Sequence, residues 1–351
     1  MPTPKTQRAW VSLQRGHPSR SLSLKSDWPV AGELKKDDVL VRIQAAALNP
    51  VGYKMMRLLP NFMAGRPLVV EHDFAGVVED GNDTEFKAGD PVFGFIHVFD
   101  NQKSRQGSLS EYAVVPAAAV ALRPPTIDVA NAAGIALAGL TAYQALFKDA
   151  GLEPGQKVFI NGGSTAVGLF AIQIAKAHGM TVVASASSRN EGLVKEMGAD
   201  EFIDYTKEPL HQYLASHPPE PKFHAIIDAF GLSDPSLYTH SPQYLAPQGV
   251  FVTTGPFPHS TTISEFFNAF LTIVATARPV WLGGVNRKYK LAAVMVDKAD
   301  LNALSQLIAE GKLKGVVDSI YPIEDALKGY ERLMTSRAAG KVVIKIDPSV
   351  Q

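Results

Sequence analysis

The segment most able to do chemistry is a glycine-rich turn set between a strand-like and a helix-like apolar pattern. Lys157-Val-Phe-Ile-Asn-Gly-Gly-Ser-Thr-Ala-Val-Gly168 runs into Leu169-Phe-Ala-Ile-Gln-Ile-Ala-Lys176. Val158 to Ile160 reads as a buried parallel strand, and Val167, Ala171, Ile174 and Ala175 recur at helical spacing. A strand feeding a helix through glycines leaves N–H groups unpaired at the helix N-terminus, where the macrodipole favours an anion. A dinucleotide pyrophosphate is the usual occupant. The strict glycine spacing fails, because Thr165 stands at the middle glycine of Gly163-x-Thr165-x-x-Gly168, so a plain strand–helix turn is the competing reading.

The next segment bears on which dinucleotide. Thr181-Val-Val-Ala-Ser-Ala reads as a second strand that ends in Ser187-Ser188-Arg189. An NAD site carries an acidic residue about twenty positions beyond the turn, on the ribose 2′-hydroxyl. None stands at this strand end. Two hydroxyls and a guanidinium suit a 2′-phosphate, so the pocket chemistry favours NADPH over NADH. Glu191 lies two residues further on, and the bland alternative is that Arg189 is a solvated loop charge.

These residues must be positioned by a sizeable fold. A chain of 351 residues, 46% hydrophobic and 19% charged, is long enough for two domains with ample core. Lys and Arg number 34, as do Asp and Glu, so no electrostatic feature suggests a nucleic-acid partner. There is no Cys, which excludes disulfides, thiolate zinc sites and cysteine nucleophiles. The first ten residues lack the apolar core of a signal peptide. Phe266 to Val285 is the most membrane-like stretch, but Arg278-Pro279 breaks it; a buried helix followed by a strand is expected there, with no membrane partner and a cytoplasmic location.

Residues 1–128 look β-rich, with strands expected at Val39–Ile43, Phe74–Val78, Pro91–Phe95 and Glu111–Val115. From Asn131 helices and strands alternate: strands at Val158–Ile160, Thr181–Ala184, Ala225–Ile227, Val250–Thr253 and Val280–Leu282, with helices at Gly168–Ala177, Gly192–Met197 and around Leu237–Leu245. This order implies an α/β fold with a doubly wound parallel sheet. Helix Leu301–Ile308 and a final strand Lys341–Ile346, of a kind that docks back onto the first domain, complete the pattern.

End to end, the chain resembles the medium-chain dehydrogenase/reductase superfamily, and within it the zinc-independent quinone-reductase and enoyl-reductase branch. The resemblance rests on Ala47-Leu-Asn-Pro-Val-Gly-Tyr-Lys54, His72-Asp-Phe-Ala-Gly-Val-Val78, Phe86-Lys-Ala-Gly-Asp-Pro-Val-Phe-Gly94, Gly107-Ser-Leu-Ser-Glu-Tyr-Ala-Val-Val115, Ala138-Gly-Leu-Thr-Ala-Tyr143, Gly198-Ala-Asp-Glu-Phe-Ile-Asp-Tyr205 and Gly340-Lys-Val-Val-Ile344. Each motif is weak; seven in the family's order are specific. The Gly-Gly-Ser-Thr turn is similar to that of fungal members, including stand-alone enoyl reductases that partner polyketide synthases. The resemblance implies a GroES-like β-rich catalytic domain, 1–128 with 287–351, interrupted by a Rossmann NADPH-binding domain, 129–286, with the active site in the cleft between them. A synthase partner and a homodimer, formed in the family by a strand placed here at Val280–Leu282, are implied in the same way.

Zinc relatives hold the metal with two Cys and a His. Here Asn49, Leu137 and His72 stand at those positions, and one imidazole without thiolates cannot hold a three-ligand catalytic zinc, so a metal-free site is expected. Hydride must then go to an acceptor that needs little Lewis-acid help, such as an enone, enal or enoyl thioester, or alternatively a quinone. Donors aimed at the developing oxyanion are required. By resemblance, Lys54, Tyr53 and Thr141 are the catalytic candidates, Asn49 supports their turn, and Asn49 and Thr141, the latter at the nicotinamide end, are also cofactor contacts. Relatives carry Asp where Gly52 stands, a departure that keeps a non-catalytic NADPH-binding protein in play as a further alternative. The remaining carry-overs are cofactor contacts: Ser164, Thr165 and Val167 at the pyrophosphate; Tyr205 near the adenosine phosphate; Phe230 and Gly255 at two strand ends; Leu282 and Gly283 at the nicotinamide amide; and Lys341. His97, Phe99, a loop at Asp100–Gln106, Phe257 and the Phe266–Phe270 helix are candidates for the mouth of a small-molecule substrate site.

Overall fold

The computed structural model describes residues 3–31, 34–256 and 262–350. The chain divides into two compact units, 1–140 with 295–351 and 141–294. The division falls inside helix Ala136–Gln144, some residues beyond the 128 expected from the change of pattern.

The second unit is built on six parallel strands. Across the sheet they run Glu201–Asp204, Thr181–Ala186, Lys157–Asn161, Phe223–Asp228, Leu245–Thr253 and Lys288–Leu291. Numbered along the chain this is the order 3-2-1-4-5-6 of dinucleotide-binding sheets. The central strands read as near-continuous apolar runs because helices cover both faces of a parallel sheet. Phe159, Val183, Ile226 and Phe251 are buried in one cluster as a result. Lys288–Leu291, at the edge, is mostly exposed.

The first unit carries a three-stranded sheet, Leu22–Pro29, Thr6–Ser12 and Leu68–Val69, and a seven-stranded sheet centred on Asp38–Ala47. That central strand pairs antiparallel with Asp73–Asp80, Tyr112–Pro116 and the terminal strand Lys341–Lys345. The terminal strand does dock back onto the first domain, with Val343 against Ala47 and Lys345 against Ala45. Val41, Ile43, Phe74, Val342 and Ile344 alternate inward and share one core.

Four expectations need correction. Val280–Leu282 is a 3₁₀ turn, not a strand. Pro279 precedes it and Gly283, at φ 82°, ends it, and the sixth strand forms only at Lys288–Leu291. The Ile263–Ala277 helix is present but not buried: only Ala269 and Thr272 are inside, while Phe266, Phe267 and Phe270 are exposed. The anchors are polar, with Thr272 Oγ1 donating to the Ser233 carbonyl at 2.6 Å and Ser233 Oγ to Glu265 at 2.9 Å. Asp100–Gln106 is not a loop; Val98–Ser104 is helical, with Asp100 in its first turn, Lys103 in its last, and Arg105 at φ 62° ending it. Around Leu237–Leu245 only Ser236–Thr239 is α-helical, and Leu245 already opens the fifth strand.

Candidate active site

In the second unit the glycine turn is shaped by packing. Gly162 adopts φ 75°, and a Cβ on Gly168 would lie 2.2 Å from the Gly162 carbonyl, so neither position accepts a side chain. Thr165, which broke the strict motif, is the N-cap of helix Ala166–Ala177. Its Oγ1 accepts from the Gly168 N–H at 3.0 Å, a bond worth about 1 kcal/mol to the helix. The amides of Ala166 and Val167 precede any intrahelical carbonyl partner, so they remain for an anion. Gly163 is buried under the turn and donates to the Ser185 carbonyl at 2.7 Å; Ser164 and Val167 are half-buried. This cradle fits a dinucleotide pyrophosphate.

The strand ends beside it are locked by a buried carboxylate whose role the sequence reading missed. Asp228 accepts from Asn161 Nδ2 at 2.8 Å, Thr253 Oγ1 at 2.8 Å and the N–H groups of Gly231 at 3.1 Å and Leu232 at 2.8 Å. Ser185 Oγ donates to Asn161 at 2.9 Å and the Gly255 N–H to Thr253 at 3.0 Å. Four neighbouring strands thus end on one network. Burial pushes the Asp228 carboxyl up, and the bonds from Asn161 and Thr253 draw it back. Phe230, partly exposed, abuts Gly162, where an added Cβ would meet it at 2.9 Å.

Ser187, Ser188 and Arg189 follow the second strand in a 3₁₀ turn, with Ser188 and Arg189 exposed. Glu191 is paired with Lys195 at 2.6 Å on the exposed face of the following helix. Asp204 was not foreseen: it ends the adjacent strand, accepts from Thr206 Oγ1 at 2.7 Å and is bonded by the Ser188 backbone. Tyr205 beside it is exposed. Leu282 and Gly283 lie in the exposed 3₁₀ turn, with Trp281 82% exposed.

In the first unit, Tyr53 and Lys54 ride on helix Pro50–Leu58, which starts after Asn49 with Pro50 at N1, where its fixed φ suits the first turn. Both side chains are half-buried. Burial pushes the Tyr53 phenol up and the Lys54 ammonium down. Behind them lies a buried charge network. Lys341, 3% exposed, donates to Asp73 Oδ2 at 2.9 Å and Asn49 Oδ1 at 2.7 Å. Asp73 also accepts from Asn49 Nδ2 at 3.1 Å and the Leu137 N–H at 2.7 Å. Thr141, in the second unit, is buried.

The three positions of the relatives' zinc ligands do not make a metal site. Asn49 is engaged by Lys341 and Asp73, Leu137 has no donor side chain, and His72 Nδ1 lies 2.9 Å from the Ile96 carbonyl, to which it donates. Burial pulls the His72 imidazole down to about 4, so it is neutral at pH 7. Among the described residues no group of three or more His, Asp and Glu is placed to hold a metal ion. Of the substrate-mouth candidates, the His97 and Phe99 rings lie 5.3 Å apart, tilted at 49°, and Phe99 is exposed; Phe257 lies outside the described residues.

A parallel sheet in this order, with this turn, defines a dinucleotide-binding fold. The chain matches the family models described as alcohol dehydrogenase GroES-like domain, over 35–125, and zinc-binding dehydrogenase, over 197–344. It is 34% identical to trans-enoyl reductase pgmF of Aspergillus terreus, covering 98% of this chain and 97% of that protein. It is 32% identical to trans-enoyl reductase poxH of Penicillium oxalicum, covering 99% of each. The solved quinone oxidoreductase of Coxiella burnetii superposes with a TM-score of 0.76 at 27% identity, covering 97% of this chain and 99% of that one. The chain belongs to the medium-chain dehydrogenase/reductase superfamily and is an oxidoreductase that uses a nicotinamide dinucleotide. No helix among the described residues is long and apolar enough to cross a membrane.

Proposed function

We propose that the protein is a metal-free, NADPH-dependent reductase of activated C=C bonds in enones, enals or enoyl thioesters, working in the cytoplasm. The observation that carries this reading is the kinship, across 98% of the chain, with a protein named a trans-enoyl reductase. The side chains at Asn49, His72 and Leu137 support it, since without a metal to polarise the carbonyl, hydride transfer favours an acceptor that spreads charge through conjugation. When bound, NADPH supplies the hydride, which the β-carbon of the acceptor takes.

The chain's own residues handle charge and protons. Lys54, Tyr53 and Thr141 donate to the acceptor's oxygen as negative charge builds there, or deliver the proton to the α-carbon. A half-buried ammonium with a lowered pKa suits the second task, because its proton is more readily released. Ser164, Thr165 and Val167 line the pyrophosphate cradle, and Ser187, Ser188 and Arg189 read the 2′-phosphate, while Glu191 pairs with Lys195. The exposed edge strand Lys288–Leu291 and the apolar Val280–Leu282 turn support pairing with a second copy, or with a synthase that delivers the substrate.

Quinone reduction is the second reading, favoured by the likeness to the Coxiella burnetii quinone oxidoreductase. NADPH oxidation against a panel of enals, enones, enoyl thioesters, quinones and simple ketones separates the two. Turnover confined to conjugated C=C acceptors is expected, and activity with quinones alone would transfer the assignment.

A further inference from the structure

Helix Pro50–Leu58 lacks the side chain that would close its N-terminus. In a capping box the residue at N3 sends a carboxylate or amide back to the backbone N–H of the N-cap. Here the N-cap is Asn49, whose side chain makes no capping bond, and N3 is Gly52, which has no side chain to send. The missing acceptor comes from elsewhere. Glu71 is 1% exposed, and its Oε2 accepts from the Asn49 N–H at 2.9 Å. Tyr330, from helix Ala326–Met334, donates to Oε1 at 2.7 Å.

The two positions are mutually exclusive in space. A Cβ built on Gly52 would lie 2.0 Å from Glu71 Oε1 and 2.7 Å from its Cδ. Glu71 also holds φ 70°, a left-handed backbone that glutamate rarely adopts. A strained residue whose carboxyl group fills the void at a glycine, and bonds the N–H that the glycine position should serve, is an exchange of one group between two places.

We infer that Glu71 caps helix Pro50–Leu58 in trans, and is thereby the positioning residue for Tyr53 and Lys54. The functional half rests on the reductase reading above; the capping half does not. Gly52 is then not a lost catalytic carboxylate but the space that Glu71 requires. Glu71 touches neither cofactor nor acceptor in this account; it acts through the helix.

The test is a reciprocal exchange in the full chain: Gly52→Asp, Glu71→Gly, the two together, Glu71→Ala and Glu71→Gln. Hydrogen exchange of peptides spanning 49–58 reads the cap without reference to activity. Glu71→Ala, Glu71→Gly and Gly52→Asp alone should each speed exchange there by roughly tenfold, the cost of an unpaired buried donor or a displaced carboxylate. Glu71→Gln, which keeps an acceptor oxygen, should stay within about twofold, and the double exchange should restore protection. Turnover number should fall and recover in step, with NADPH affinity unchanged. Unaltered exchange in Glu71→Ala, or a double variant as labile as the worse single one, would overturn the inference. Should a single variant fail to fold, Glu71→Gln and the double exchange still decide it. The expected exchange pattern in a chain that reduces nothing would uphold the cap and sink the reductase reading.

Discussion

Substituting Lys341 by Met removes the cation from the most deeply buried ion pair described in the structure. The ammonium lies 2.9 Å from Asp73 Oδ2, with side-chain exposures of 4% and 0%. At an effective dielectric of about 20 their attraction is on the order of 6 kcal/mol, which desolvation of both groups largely offsets. The loss on truncation is therefore set by the charge left behind, about 3–5 kcal/mol. Asp73→Asn should cost a similar amount alone, since it strands the ammonium. Joining it to Lys341→Met leaves no unpaired charge, and the amide oxygen introduced at position 73 can still accept from the Leu137 N–H. The double variant should thus lie well above the sum of the single losses, with a coupling of a few kcal/mol. Urea unfolding followed by far-UV circular dichroism and by the fluorescence of buried Trp10 gives all four stabilities. A Lys341→Met chain within about 1 kcal/mol of the parent, or losses that simply add, would refute the buried pair.

Arg189→Ala should weaken NADPH binding about tenfold and NADH little, because an exposed guanidinium contributes the lower end of a charge-assisted bond to phosphate; equal losses in fluorescence titrations would count against a 2′-phosphate contact. Glu71, pushed up to about 7 mainly by burial, gives a pH signature. Its folded-state pKa is raised, so the stability it contributes is complete below the unfolded value near 4.5 and is lost as pH rises through about 7. It is faced by Tyr330, Asp73, Lys341 and the Asn49 amide, with His72 and Arg66 lining the same cavity. Between pH 5 and 8 the parent should therefore lose about 3 kcal/mol relative to Glu71→Gln, and a constant difference in urea melts would contradict this. Trp281→Ser, at an exposed position, should shift light-scattering mass from dimer towards monomer, whereas a monomeric parent would remove the self-association proposal.

The elements that position the cofactor were readable where one physical rule governed the sequence. Val158–Ile160, Thr181–Ala184, Ala225–Ile227 and Val250–Thr253 announce a parallel sheet because strands covered on both faces must be apolar throughout. Thr165 looked like a defect in the glycine motif and proved to be a helix cap, which a hydroxyl before an apolar helical run can signal. Where two rules compete the reading failed. Val280–Leu282 has strand composition, yet Pro279 and Gly283 turn it, and the true edge strand carries Lys288 and Lys290, whose polarity hides it. Phe266, Phe267 and Phe270 read as core because burial is the usual fate of such residues, and no periodicity can announce an outward apolar face. The buried carboxylates were the hardest. Asp228, Glu71 and Asp73 gain meaning only from partners such as Asn161, Gly52 and Lys341, brought together by tertiary folding. One signal was available for Glu71: an acid ending the apolar run Leu68-Val-Val, in a chain whose helix start lacks its own.

The central claim is that hydride reaches the carbon of a conjugated double bond, and the most direct measurement follows the label. NADPH deuterated at C4 of the nicotinamide is turned over with an enone, and the product is examined by NMR. Deuterium at the β-carbon, with a solvent-derived proton at the α-carbon, is the predicted result. Deuterium at the carbonyl carbon, giving an allylic alcohol, would contradict the account.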